Sequence, residues 1–207
     1  MKKIALIAVG IIVILGGALL YLNHMNYWPF HTDKEKGIPD GEIKNMNQLD
    51  RTDELSLLLA ASGKVGYNVK GSNVSIYFDV YKRDKRVLHK LVTEFGSEKD
   101  TQLSGTIVWG ILGFDVFKPT EIRAAVSNND GATSQDSFAI PKDIFGKIDN
   151  AGAQTQPFED GKIKKGKKYI LQGWVMGKEN TGMNENTFSD KGFKNQEQTV
   201  MLYVVFK

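Results

Sequence analysis

Nineteen consecutive residues near the N-terminus, Ile4 to Leu22 (IALIAVGIIVILGGALLYL), carry no charge and no strongly polar side chain. As a helix, at 1.5 Å per residue, the run is about 28 Å long, close to the hydrocarbon thickness of a bilayer. A helix also satisfies its own backbone there, which other single segments cannot. Lys2 and Lys3 stand before the run, and the first lysine or arginine after it is Lys34. The positive-inside rule then makes residues 1–3 a cytoplasmic tip, residues 4–22 a transmembrane signal-anchor, and the rest extracytoplasmic. Tyr21, Tyr27, Trp28 and Phe30 gather at the outer end, where aromatic rings favour the membrane interface.

The rival reading is a signal peptide cleaved after Ala18, with Gly16 as the other small residue, which releases a secreted domain. Leu19 to Leu22 carry the apolar run through that site, which favours the anchor. The expectation is a single-pass protein of a bacterial-type cell membrane, with its domain in the envelope.

Charge and cysteine content remove several function classes. The net charge is +3, and without Lys2 and Lys3 the chain holds 25 basic against 24 acidic residues. So small an excess gives little field for a polyphosphate backbone, and nucleic acid is not expected as a partner. Absence of cysteine excludes a disulfide scaffold, thiol catalysis, Cys-ligated zinc and a lipid-modified cysteine.

Residues 23–52 read as an extracytoplasmic linker, rich in charge and broken by Gly37, Pro39 and Gly41. Asp33, Glu35, Asp40 and Glu42 lie within it, but a flexible acidic tether has no fixed ligand geometry.

From Asp53 to the end the pattern changes to period two. Val74, Ile76, Phe78 and Val80 alternate with Ser75, Tyr77, Asp79 and Tyr81, as in a half-buried strand. Arg86 to Phe95 forms a second run, and the polar Lys82–Lys85 between them predicts a hairpin. Val108 and Leu112 beside Ile107, Trp109 and Ile111 predict a strand covered on both faces. Glu121–Ser127, Tyr169–Met176 and Thr199–Phe206 add three more strands, and Leu55–Ala61 fits a strand or a short helix. Seven or eight strands with turn signals such as Asp130-Gly131 and Asp160-Gly161 predict a mainly β domain over 53–207. The expected architecture is an antiparallel β-sandwich, immunoglobulin-like in outline, with a barrel as the alternative.

No cofactor or metal is implied, and no catalytic residue stands out. Of three histidines, only His89 lies in the domain, and no multi-histidine spacing exists. His89 therefore reads as an ordinary strand residue. Gly161 to Lys167 resembles a phosphate loop but precedes a strand and lacks Ser or Thr after its Gly-Lys. Asn128 to Gly131 with Asp136 offers oxygen ligands but misses the EF-hand pattern, and reads as a turn.

Two surfaces remain. One is a basic pair of turns: Lys82, Arg83, Lys85, Arg86 and Lys90 with Lys162, Lys164, Lys165, Lys167 and Lys168. The other is Gly177 to Gln198, where Phe188 and Phe193 are either anchors for a partner or staples of a long loop. The leading expectation is a membrane-anchored binding module, its ligand a protein or an anionic envelope polymer. A small envelope hydrolase using a carboxylate pair is the alternative.

Overall fold

The computed structural model describes residues 2–30, 33–46, 58–146, 151–177, 183 and 185–207. The first element, α1, runs Lys2–His24. Its C-terminus closes in a Schellman motif. Tyr27 N–H donates to Leu22 O (2.9 Å) and Asn26 N–H to Asn23 O (3.2 Å), while Asn26 takes the left-handed conformation at φ 55°. Side chains are described from Val9 onward, with Ile7. The large apolar ones among them, from Ile7 to Leu20, are exposed, and among the described residues α1 makes no extensive contact with any strand. Among the described residues no helix is long and apolar enough to cross a membrane.

Two long strands organise the rest: β2 (Leu59–Lys82) and β3 (Lys85–Leu112), preceded by the short β1 (Glu42–Asn45). They pair antiparallel over nearly their whole length through the two-residue turn Arg83-Asp84, where Arg83 sits at φ 52°, as a tight hairpin requires. After them come β4 (Glu121–Asn128), β5 (Thr133–Ala139), β6 (Ala151–Thr155), β7 (Gly161–Lys162), β8 (Tyr169–Met176) and β9 (Gln198–Phe206). A 3-10 turn at Glu185–Phe188 and α2 (Asp190–Lys194) lie between the last two strands.

Among the described residues all nine strands belong to one sheet, in the order β5-β4-β3-β2-β9-β8-β6, with β1 added to β2 and β7. The mainly β, antiparallel expectation holds in this form: a single curled sheet, a half-barrel, in place of two separate sheets. The difference arises because runs that look separate in the sequence are continuous. Arg86–Phe95 and Ile107–Ile111 are both β3, and the residues between them are extended and polar. The register breaks between Gly71 and Asn73, opposite residues 97–100, and the strand pair changes neighbours there. Beyond the break β2 pairs with β9, and before it with β1.

Curling brings strands that are distant in the order into contact. Phe138 of β5 packs on Phe78 of β2 (5.4 Å between rings), and Thr93 Oγ1 meets Ser134 Oγ at 2.9 Å. The concave face holds the main core, including Val74, Ile76, Phe78, Val80, Trp109, Ile122, Val126, Trp174 and Leu202. Gly63 makes room for Trp109, since a Cβ there would lie 2.1 Å from the indole. Val108 is exposed, so this part of β3 alternates after all and is covered on one face only.

Two features depart from the expected organisation. The segment read as a linker places Ile38 and Ile43 in buried positions and supplies β1. β5, with the sequence TSQDSFA, has no apolar alternation to announce it. The Leu55–Ala61 run enters β2 at Leu59, and its residues up to Leu57 lie outside the described residues.

Candidate binding site on the outer face of the sheet

Residues of β2 that point away from the core form the centre of the site: Ser75, Tyr77, Asp79 and Tyr81. Asp79 stands apart on this face as an ionisable group whose side chain has no exposed surface at all. A carboxylate taken out of water must be paired and fully hydrogen-bonded to be tolerated. β3, β9 and the turn before β8 supply the partners. His89, opposite Asp79 on β3, places Nδ1 2.6 Å from Oδ1. Tyr203 of β9 donates its hydroxyl to Oδ2 at 3.0 Å. Lys168, just before β8, donates to Oδ2 at 3.3 Å and to the Tyr81 hydroxyl at 3.2 Å. Arg86, just past the β2–β3 turn, brings a guanidinium nitrogen to 3.8 Å of the same oxygen.

Rings complete the cluster. His89 stacks on Tyr77 (4.9 Å), Tyr77 on Tyr203 (5.6 Å), and the Lys168 ammonium sits 4.6 Å from the centre of the Tyr203 ring. Tyr81 stacks on Phe193 at 4.2 Å. Burial, and after it the Asp79 charge, push the Tyr203 phenol far above its ordinary range. Tyr203 is thereby held protonated, as a donor to Asp79. The outward ends of Arg86, His89 and Lys168 keep 48%, 42% and 35% of their side-chain surface in solvent.

His89 is therefore not an ordinary strand residue but the partner of a buried acid. An Asp–His pair can move protons. Among the described residues, however, no hydroxyl nucleophile is bonded to this imidazole. A cleft of about 320 Å³ lies on β4 and β5, lined by Glu121, Arg123, Gln135, Asp136 and Ser137. It holds two carboxylates, but Arg123 Nε donates to Glu121 at 2.7 Å and neutralises one of them.

Of the ten basic residues in the two turns, the fold brings only Arg86 and Lys168 onto a common atom. Lys90 lies opposite Phe78, on the other face of the ladder, and Lys165 pairs with Asp100 at 2.8 Å. Gly161 to Lys167 contains β7 and a turn rather than a helix start. Asn128 and Asp130 spend their side-chain oxygens on Ser104 N–H and Ala132 N–H, and the described residues hold no metal-binding group.

Phe188 and Phe193 are buried, at 6% and 3% exposure, against Ile170, Val175, Met201 and Tyr203. They hold the loop to the outer face, and neither ring is offered to solvent. Gly173 admits Phe188, since a Cβ there would stand 2.1 Å from the ring. Residues 178–182 and 184 of this loop lie outside the described residues.

Nearer the middle of β2 a second polar cluster ties α1 to the sheet. The buried Asn68 accepts from Glu35 N–H (2.8 Å) and donates to Glu35 O (2.8 Å) and Ile38 O (2.6 Å). Asn26, at the end of α1, donates to Ile38 O at 2.7 Å and Asp40 at 3.1 Å, and Gly37 N–H reaches Met25 O at 2.8 Å. Tyr21, Tyr27, Trp28 and Phe30 surround this junction with exposed rings, Trp28 most of all at 76%. Comparison with protein-family models, with curated proteins and with solved structures finds no match for the chain.

Proposed function

We propose that the chain is a binding module held in a membrane by its N-terminal segment, with the β domain on the extracytoplasmic side. The observation that carries this reading is the contrast at the α1 junction. Among the described residues of α1 the large apolar side chains from Ile7 to Leu20 are exposed, with no strand in extensive contact with the helix. A helix apolar all round is stable only inside a protein core or a bilayer. Its end is nevertheless locked to the sheet through Asn26 and Asn68. Supporting features are the uncharged run Ile4 to Leu22, the lysines before it and the four exposed rings after it. In this reading the domain stands at a fixed angle to the membrane rather than on a loose tether.

Binding, rather than hydrolysis, is favoured by the outer face. It gathers partly exposed cations and rings around a buried Asp79. A photo-crosslinking residue at position 91, exposed beside Tyr77, tests this in intact membranes. Capture of a partner from position 91 and not from position 137, in the β4–β5 cleft, is the expected result. Capture from position 137 alone overturns the reading in favour of the cleft.

A further inference from the structure

We propose that Arg86, Lys168 and His89 form a site for the phosphate groups of an extended polyanion. The proposal rests on the binding-module reading and adds the chemistry of the ligand. Asp79 carries one negative charge, yet two permanent cations and an imidazole converge on it. One cation suffices for neutrality, so the cluster holds an excess of positive charge, and a third to a half of each of these side chains faces solvent.

Asp79 also fixes their geometry. Lys168 and Arg86 lie 3.3 and 3.8 Å from the same oxygen, so their nitrogens are at most about 7 Å apart. One phosphate group can accept from both, and charge-assisted bonds from guanidinium and ammonium are the strong kind. With these side chains already ordered, binding avoids much of the entropy cost of immobilising them. The imidazole adds a third donor when both ring nitrogens carry protons, with Nδ1 facing Asp79 and Nε2 facing the ligand.

Exposure favours a polymer. Arg86, His89 and Lys168 all reach solvent, so a ligand can lie across the face and gain affinity from repetition. Tyr77 and Tyr81, partly exposed, and Leu91, exposed opposite Tyr77, give the carbon backbone between phosphates an apolar floor. Position selects a polymer over the headgroups of the protein's own membrane. Asp79 is eleven residues along β2 from Asn68, the point that holds the end of α1. At 3.3 Å per residue this is a separation of up to about 36 Å.

The test uses the full chain in nanodiscs of neutral lipid, with long-chain inorganic polyphosphate as the probe and calorimetry as the readout. Arg86→Gln and Lys168→Gln are each expected to weaken binding about tenfold, roughly 1.4 kcal/mol. Each is also expected to reduce the slope of log affinity against log salt by about one. Lys142→Gln, at an exposed lysine elsewhere, is expected to change neither. Thermal melts confirm that the three variants remain folded. Equal effects of all three substitutions overturn the proposal. So does polyglutamate binding as tightly as polyphosphate, or binding to anionic-lipid vesicles without binding to polyphosphate. Loss of polyphosphate binding with crosslinking at position 91 intact removes the phosphate assignment and leaves the binding module standing. Failure of both removes both.

Discussion

Asp79→Asn is the substitution that probes the outer face most sharply. It keeps the volume and shape of the side chain and removes only the charge. In the folded protein Asp79 Oδ1 meets His89 at 2.6 Å, and Oδ2 serves Tyr203, Lys168, Tyr81 and Arg86 between 3.0 and 3.8 Å. An asparagine presents one acceptor and one NH₂, which faces either the Nδ1 donor of His89 or the hydroxyls and the ammonium. Either donors face donors or the imidazole must switch to the tautomer that accepts at Nδ1, and in both cases two cations lose their counter-charge. Removing one partner from a buried ion pair costs about 3–5 kcal/mol. At roughly 2–4 °C per kcal/mol for a chain of this size, the melting temperature falls by about 6–20 °C. Arg86→Gln, at a half-exposed position, costs well under 1 kcal/mol by the same reasoning. Combining it with Asp79→Asn recovers part of the loss, because a cation without a counter-charge is removed. Denaturant unfolding of the four proteins gives the cycle. A loss below about 1 kcal/mol for Asp79→Asn, against that 3–5 kcal/mol expectation, refutes the claim that this carboxylate organises the site.

Other perturbations reach other parts of the account. Asn68→Ala removes three hydrogen bonds at the α1 junction, for a loss of about 3 kcal/mol, and hydrogen exchange at residues 35–38 accelerates in step. Unchanged exchange there contradicts a locked junction. Gly173→Ala drives a Cβ into Phe188 and expels the ring, with a cost of about 1–3 kcal/mol and faster proteolysis between Met183 and Lys194. Alkaline pH acts through Tyr67 and Tyr203, both pushed well above the ordinary phenol value of 10.0, first by burial. Each holds its proton more tightly folded than unfolded. Stability is therefore complete below pH 10 and falls above it, by about 1.4 kcal/mol per pH unit for each tyrosine. Replacing both by phenylalanine flattens that part of the stability profile, and an unchanged profile contradicts the burial assignment.

The strands were legible where one face is buried and the other wet. Val74 to Tyr81 and Ile122 to Val126 show their alternation directly, whereas the last two strands, buried on both faces, announce themselves by apolar, β-branched and aromatic composition. The continuity of β2 and β3 was hidden, since Lys64 to Ser72 and Gly96 to Thr106 look like polar connections when read alone. β5 was hidden because backbone pairing with β4 suffices to hold it while its side chains stay mostly in solvent. The Asp79 cluster was hidden for a stronger reason. An acid on the outer side of a strand reads as solvated, and the groups that bury it are 89 and 124 residues away in Lys168 and Tyr203. His89, opposite Asp79 across the hairpin, was the one signal available, for Asp79 and His89 become neighbours once the turn at Arg83-Asp84 is placed. The role of Asn68 was invisible, because its partners are backbone atoms of a segment that has no strand period.

The central claim is topological, and the absence of native cysteine allows it to be tested without background. Single cysteines at Lys2→Cys and Phe114→Cys, the latter at a fully solvent-exposed ring, can be labelled in intact cells with a membrane-impermeant maleimide. The account predicts that the chain sediments with membranes, that position 114 labels in intact cells, and that position 2 labels only after permeabilisation. A chain that leaves the membrane fraction with position 2 removed from it, or labelling at position 2 with protection at position 114, contradicts it.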